Sequence, residues 1–415
     1  MKTIKRQNKI DLLTFNCALF LLFLSFFEES TLWKFSYIGL VAVFLFPIVL
    51  FVGMQFNCIT LDSHDKQIVL GFCIFALIQG LGISFSSIYK SLTPIYRTIS
   101  VVLTIVYIRH VIWTDEKFRA LDFLSFFVIL FGFISFLLPQ QEDTNPFFGN
   151  LNTVGALYFS FFALNYIQFL KTHKYIKLLY SGLSMLLVII SNTRTAMFLI
   201  LLAIVLCVAI KCFIGKNIKP LAFFVLSIGI IVLFIVFYYN VKSKQLYSLL
   251  NSISKAIFHK NFDSGRPDLW KSAVDVVGDM WIMGRGTFVE LSDFVVGKKT
   301  SHSVYFDIYL KNGILGLVFY IIAIINVLKS KKTWKYNKLN VFIMIIASIL
   351  LLYNAMAVTL IKPRSGIGLI HWILIALPYN NIQTAEENNK YRYADKVQTV
   401  ENVKADVGTS TSVRW

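Results

Sequence analysis

Three residues offer chemistry in a chain otherwise dominated by apolar runs: Arg194 in SNTRTA, Arg266 in DSGRPDLW and His302 in SHSVYF. An arginine at the edge of an apolar run is costly unless its guanidinium reaches water, a partner or an anion. Its planar fork grips phosphate oxygens two at a time, which a lysine does not do. Arg194 therefore reads either as a snorkelling side chain or as a ligand for the phosphate of a lipid. Arg266 follows a flexible Ser-Gly and precedes Pro267, at the expected start of a helix whose backbone amides also favour an anion. Its plain alternative is a solvated loop arginine. His302 is expected on the first turn of a helix capped by Ser301, where the positive helix end disfavours imidazolium. A neutral imidazole near pH 7 can take a proton as a general base. A lone histidine is more often structural than catalytic, so His302 gains weight only from its company.

That company is specific in type. Arg285, in MGRGTF, stands between two glycines that let backbone approach a ligand closely. Arg364, in IKPRSG, adds positive charge at the last outer turn. Tyr305 and Tyr309, with Phe306, follow His302 on one side of its helix and offer a stacking face for a sugar or a lipid. Asp263 and Asp268 flank Arg266 as charge neighbours, not as the paired carboxylates of a glycosidase. His110 and His371, at or inside spans, read as structural. The chain contains no phosphate-cradling glycine loop, metal-ligand cluster or nucleophile elbow. A reaction here has to use a pre-activated substrate, with no metal and no nucleotide cofactor.

The elements that must position these residues lie in a membrane. Of 415 residues, 57% are hydrophobic and 15% charged, and the mean hydropathy is +0.68. Apolar runs long enough to cross a ~30 Å hydrocarbon core recur from end to end. They are continuous, not alternating, which selects helices over a β-barrel. The net charge of +18 sits in short clusters between these runs, as the positive-inside rule expects and unlike a nucleic-acid groove. All five cysteines lie in or beside apolar runs, so no disulfide frame is expected.

The expected fold is all-α: a polytopic transmembrane helical bundle of about twelve spans with one large periplasmic loop containing short amphipathic helices. Spans are placed near 11–27, 37–57, 68–86, 96–113, 121–138, 154–170, 177–191, 196–213, 220–239, 313–328, 339–360 and 367–380. Residues 1–239 thus carry nine spans, 240–312 form the loop, 313–384 carry three more spans, and 385–415 form a polar cytoplasmic tail. Basic clusters at 109–119, 171–177, 211–219 and 329–338 put both termini in the cytoplasm, while Pro139–Thr153 has no Lys or Arg at all. Within the loop, Pro267–Asp279 reads as an amphipathic helix, with Leu269, Ala273 and Val276 on one stripe. A second helix is expected from Ser301 to a stop at Gly313.

Taken in order, SNTRTA, SGRPDLW, MGRGTF and SHSVYFDIYLKNGILG resemble the O-antigen ligase and polymerase superfamily of bacterial envelope glycosyltransferases. That family shows an arginine in a short outer turn, then a long periplasmic loop with an arginine before an amphipathic helix. A hydrophobic-Gly-x-Gly stretch follows, then a histidine opening a helix that ends in a Gly turn. The resemblance implies a multi-pass protein of the bacterial inner membrane using a glycan linked to undecaprenyl diphosphate. In the ligase branch the acceptor is lipid A-core; in the polymerase branch it is the next repeat unit. It implies that Arg194 and Arg266 hold the diphosphate and that His302 takes the acceptor proton in an inverting displacement. Polymerases of this type often have two large periplasmic loops, and the shortness of Pro139–Thr153 favours ligase. A lipid-linked glycan transporter would instead bury charges mid-span along a path, and a scaffold without chemistry would tolerate alanine at all three positions.

Overall fold

The computed structural model describes residues 2–82, 88–138, 144–209, 220–241, 246–258, 261–296, 300–329, 338–360 and 366–377. Arg364 and the tail 385–415 lie outside the described residues. Before the long connection come α1 (Lys2–Ser25), α2 (Trp33–Phe56), α3 (Ser63–Leu81), α4 (Ile88–His110) and α5 (Asp115–Leu137). A two-stranded hairpin (β1 Thr144–Asn145, β2 Gly149–Asn150) leads to α6 (Leu151–Thr172), α7 (Tyr175–Ile190), α8 (Arg194–Ala209) and α9 (Pro220–Tyr239). The long connection holds α10 (Leu246–Phe258) and α11 (Arg266–Val277), and α12 (Val304–Lys329), α13 (Lys338–Tyr353) and α14 (Ile367–Ala376) follow. The protein is all-α, with a helix on each of the expected segments. Among the described residues, α2, α5, α6 and α12 are long and apolar enough to cross a membrane by themselves.

Burial sorts the helices into centre and rim. Helices α6, α13 and α14 are buried nearly all round, with Leu157, Phe159, Ile345 and Trp372 fully enclosed. Helices α1, α2, α3 and α5 turn Phe20, Phe51, Leu77 and Phe123 outward, the apolar exterior that lipid requires. The hairpin between α5 and α6 is tucked into the bundle. Phe147 and Phe148 pack among Phe27, Phe35 and Phe131, with Phe27 and Phe148 stacked at 5.7 Å. Ser30 Oγ donates to the Pro146 carbonyl at 2.6 Å and closes this end.

The opposite end is held by buried ion pairs. Lys117 Nζ donates to Asp11 Oδ2 at 2.5 Å, and Asn57 Nδ2 donates to the other oxygen at 3.0 Å. Arg109 Nε donates to Asp65 Oδ1 at 2.8 Å, with His110 Nε2 2.6 Å from Oδ2. Lys177 pairs with Asp122. Buried charges without partners are strongly destabilising, so these pairs fix the register of α1, α3, α4, α5 and α7.

Two expected boundaries move. The second loop helix begins at Val304, not Ser301. The Ser301 carbonyl is held by the Trp270 indole at 3.0 Å, and the left-handed backbone at His302, φ +52°, keeps residue 301 out of the helical ladder; Ser303 supplies the first carbonyl instead, to Asp307 N at 2.9 Å. His302, expected on the first helical turn, sits before the helix at φ +52°. The span expected over 339–360 stops being helical at Tyr353. There the Asn354 side chain accepts from Thr359 N, Thr359 Oγ1 and Leu360 N, a local alternative to the helical ladder.

Gly313 does interrupt its helix, as expected: α12 bends there through φ +61°, ψ −162°. A break of this kind orphans two carbonyls before it and two amides after it. The segment Trp281–Gly286 crosses the bend and satisfies all four. Ile314 N and Leu315 N donate to the carbonyls of Trp281 and Ile282, while Arg285 N and Gly286 N donate to those of Leu310 and Lys311. The crossing demands glycine on both chains: Gly284 lies at φ +75°, and a Cβ there would stand 2.5 Å from Gly313 N. Backbone strain alone makes Gly284→Ala cost about 1–3 kcal/mol, which should lower the melting temperature in detergent by several degrees. Gly182→Ala, in the interior of α7 and with a methyl that would meet nothing within 4 Å, should not lower it. Equal melting temperatures for Gly284→Ala and wild type would show that the crossing is not formed.

Candidate functional site

Arg194 opens α8 directly after a turn that cannot shift. Thr193 Oγ1 donates to the Leu151 carbonyl at 3.0 Å, and Gly155 gives Thr193 its room. From this fixed base the guanidinium reaches across to the long connection. Nη1 donates to Ser254 Oγ at 3.0 Å and to the Asn261 carbonyl at 2.9 Å, and Nη2 donates to Ser264 Oγ at 2.7 Å. Ser264 and Gly265 both take left-handed backbone, at φ +51° and +73°, and this tight turn delivers Arg266 to the first position of α11. Pro267 follows in the first turn, where its missing N–H costs nothing.

Two aromatic residues lock that turn to the bundle and to His302. Tyr238, in the last turn of α9, donates its hydroxyl to the Asp263 carbonyl at 2.7 Å and packs against Trp270 with ring centroids 5.3 Å apart. Trp270 lies one turn beyond Arg266 and is fully buried. Its ring stacks on Phe306 at 4.8 Å, and its Nε1 holds the Ser301 carbonyl beside His302. Ser301 and Ser303 are buried while His302 between them is exposed, so the imidazole is presented outward from an anchored backbone. Below it, Val304 N donates to the Asn354 carbonyl at 2.9 Å, and Thr359, held by Asn354, lies 3.0 Å from His371 Nδ1.

Arg194, Arg266 and His302 are thus brought to one end of the bundle by elements far apart in sequence. The charge of Arg266 acts on Arg194, Tyr238 and Tyr353 alike, with Asp263 close enough to act on Arg194 and Tyr238. Two guanidinium groups with one carboxylate beside them leave an excess of positive charge, which favours an anion.

The other candidates have different surroundings. Arg285 does not join the cluster. Its Nε donates to the Val276 carbonyl at 2.6 Å and caps the far end of α11, about 15 Å along the helix from Arg266. Tyr305 donates its hydroxyl to the Leu351 carbonyl at 2.9 Å, and Tyr309 packs against the cluster of Ala273, Val277, Leu291 and Leu310. The expected stacking face is therefore taken up by the protein's own packing. Arg364 falls outside the described residues. Asp62, Asp65 and His110 stand within 4.8 Å of one another, but Asp65 is held by Arg109 at the opposite end of the bundle. Sequence reasoning missed Tyr238, Trp270, Asn354 and all of α10. For α10 the signal was present: Leu246, Leu249 and Ile253 form an exposed stripe opposite the Ser254 that Arg194 holds.

Residues 179–321 match the profile of the O-antigen ligase family, a stretch running from α7 to the second half of α12. All of Arg194, Arg266, Arg285 and His302 fall inside it. A comparison with curated proteins returns no match. The family is one of membrane glycosyltransferases, working on lipid-linked glycan and, in the ligase branch, on lipid A-core.

The joint between Arg266 and His302 is open to test. Trp270→Phe keeps the ring stack but removes the N–H donor, leaving the buried Ser301 carbonyl short of a partner at a cost of about 1–3 kcal/mol. The expected result is a folded, mildly destabilised protein whose glycan transfer falls at least tenfold. Unchanged transfer would show that His302 is positioned by other contacts.

Proposed function

We propose that the protein is an O-antigen ligase of the bacterial inner membrane, with both termini cytoplasmic and the Arg194–Arg266–His302 end on the periplasmic side. It moves polysaccharide from undecaprenyl diphosphate to a sugar hydroxyl of lipid A-core. The observation that carries this reading is that two arginines and one exposed histidine, Arg194 held to the Asn261–Ser264 turn and His302 next to the buried Trp270–Ser301 bond, come to one end of the bundle within the stretch that matches the O-antigen ligase profile.

The chemistry follows from the residues. Arg194 and Arg266 hold the diphosphate of the donor and stabilise the charge that grows on it as the glycosidic bond breaks. His302 takes the proton of the acceptor hydroxyl as that oxygen attacks the anomeric carbon. One C–O bond forms as another breaks, the proton passes to the imidazole, and undecaprenyl diphosphate leaves with the electron pair. A single displacement inverts the carbon. The donor is already activated, so neither a metal nor a nucleotide is needed.

The alternative within the family is the polymerase of the repeat unit. The tucked hairpin between α5 and α6 leaves 240–312 as the one large connection, which favours the ligase.

The deciding experiment is a glycan-stained lipopolysaccharide gel of a deletion strain rescued by wild type or by variants. The ligase reading expects rough lipopolysaccharide on deletion, with long polymer persisting on undecaprenyl diphosphate. Wild type restores the ladder. His302→Ala lowers transfer by about 10²–10⁴-fold, and Arg266→Ala by about 10²–10³-fold, at unchanged expression. Single-repeat lipopolysaccharide on deletion would make the protein the polymerase, and an unchanged ladder would overturn both readings.

A further inference from the structure

At the end opposite the arginines, an open groove of about 400 Å³ runs between α1 and α5 on the outer face of the bundle. Its walls are aromatic: Phe20 and Phe23 from α1 face Phe123 and Phe127 from α5, with Ala120 and Leu124 as the floor. Its mouth is polar, formed by Asn16, Glu116 and Arg119. From Glu116 to Phe127 the α5 stripe rises eleven residues, about 16 Å, which is half of a ~30 Å hydrocarbon core. The groove therefore has the depth of one leaflet, with charge at the headgroup layer and rings where an acyl chain lies.

The charges are matched to one kind of headgroup. Glu116 and Arg119 are three residues apart on one helix and share a face. Both are exposed, and among the described residues neither forms an ion pair, although Lys117 and Asp122 beside them are paired. An anionic lipid would meet Arg119 but be repelled by Glu116. A zwitterion satisfies both.

We propose that this groove holds one molecule of a zwitterionic phospholipid with a primary ammonium, such as phosphatidylethanolamine. The acyl chain lies between the phenylalanine walls, the phosphate sits on Arg119 by charge-assisted hydrogen bonds, and the ammonium sits on Glu116. Asn16 donates to the ester oxygens. The site is remote from the proposed transfer chemistry and stands independently of it.

Native mass spectrometry of the full chain, delipidated in detergent and given equal phosphatidylethanolamine and phosphatidylglycerol, tests this. Wild type should retain one phosphatidylethanolamine per chain, about tenfold more than phosphatidylglycerol. Arg119→Ala should cut that retention about tenfold. Glu116→Gln should keep a lipid but lose the preference. Ala120→Trp, which fills the floor without touching a charge, should empty the groove, while Phe44→Ala on the exposed face of α2 should change nothing. Equal retention of both lipids by wild type, or wild-type retention by Arg119→Ala, would overturn the proposal. Both charge variants alter exposed side chains, so they decide the matter even if the tryptophan variant does not fold.

Discussion

A helix that must both lie across the end of a bundle and enter it has to break, and in or near lipid every backbone group at the break needs a partner. The bend of α12 at Gly313 is that break. Its first half runs from Val304, tied to Asn354 at the end of α13, to Asn312, whose side chain donates to Thr287 Oγ1 at 3.1 Å. Thr287 in turn donates to the Gln79 carbonyl at 2.6 Å near the end of α3. The half-helix is a bar laid over the bundle between two helix ends. Trp281–Gly286 replaces the hydrogen bonds lost at its end, and on this bar pack α11 and the stretch through Leu291.

The two ends of the bundle use charge in opposite ways. At one end each buried charge has its counter-charge: Lys117 with Asp11, Asp65 with Arg109 and His110, Lys177 with Asp122. Replacing any partner would strand a charge, so this end is architecture. At the other end Arg194 and Arg266 lie close enough for their charges to act on one another, with the Asp263 carboxylate beside them. The excess of positive charge there suits the anion proposed above.

The amino-acid sequence carried the helical segments, because continuous apolar runs between basic clusters have few other solutions in a membrane. It also carried α11, whose stripe, proline and preceding Ser-Gly agree with one another. What was not legible were the boundaries set by tertiary bonds. Ser301 has the chemistry of a helix cap, but its carbonyl is captured by an indole 31 residues earlier in the chain. The α13 segment reads as one apolar run through Leu360, but a single buried Asn354 diverts its backbone. Arg285 illustrates the converse: its flanking glycines suggest ligand approach, whereas the space at Gly284 is filled by the α12 backbone and that at Gly286 by the Gly82 carbonyl.

Convergence of the site then rests on hydrogen bonds the protein makes with itself. Arg194 belongs to a short turn of the bundle and Arg266 to a turn more than seventy residues later, yet their relative position is fixed twice. The Arg194 guanidinium grips the backbone of the Asn261–Arg266 turn from one side, and Tyr238 grips the same turn from the other. Trp270 extends this frame by one helical turn to Ser301 and so to His302. Holding catalytic groups in place before substrate arrives is what allows charge stabilisation without reorganisation. A guanidinium that spends part of its donors on its neighbours gives up binding capacity for orientation. For the donor proposed above, whose diphosphate is anchored by its own lipid tail, orientation is the scarcer quantity.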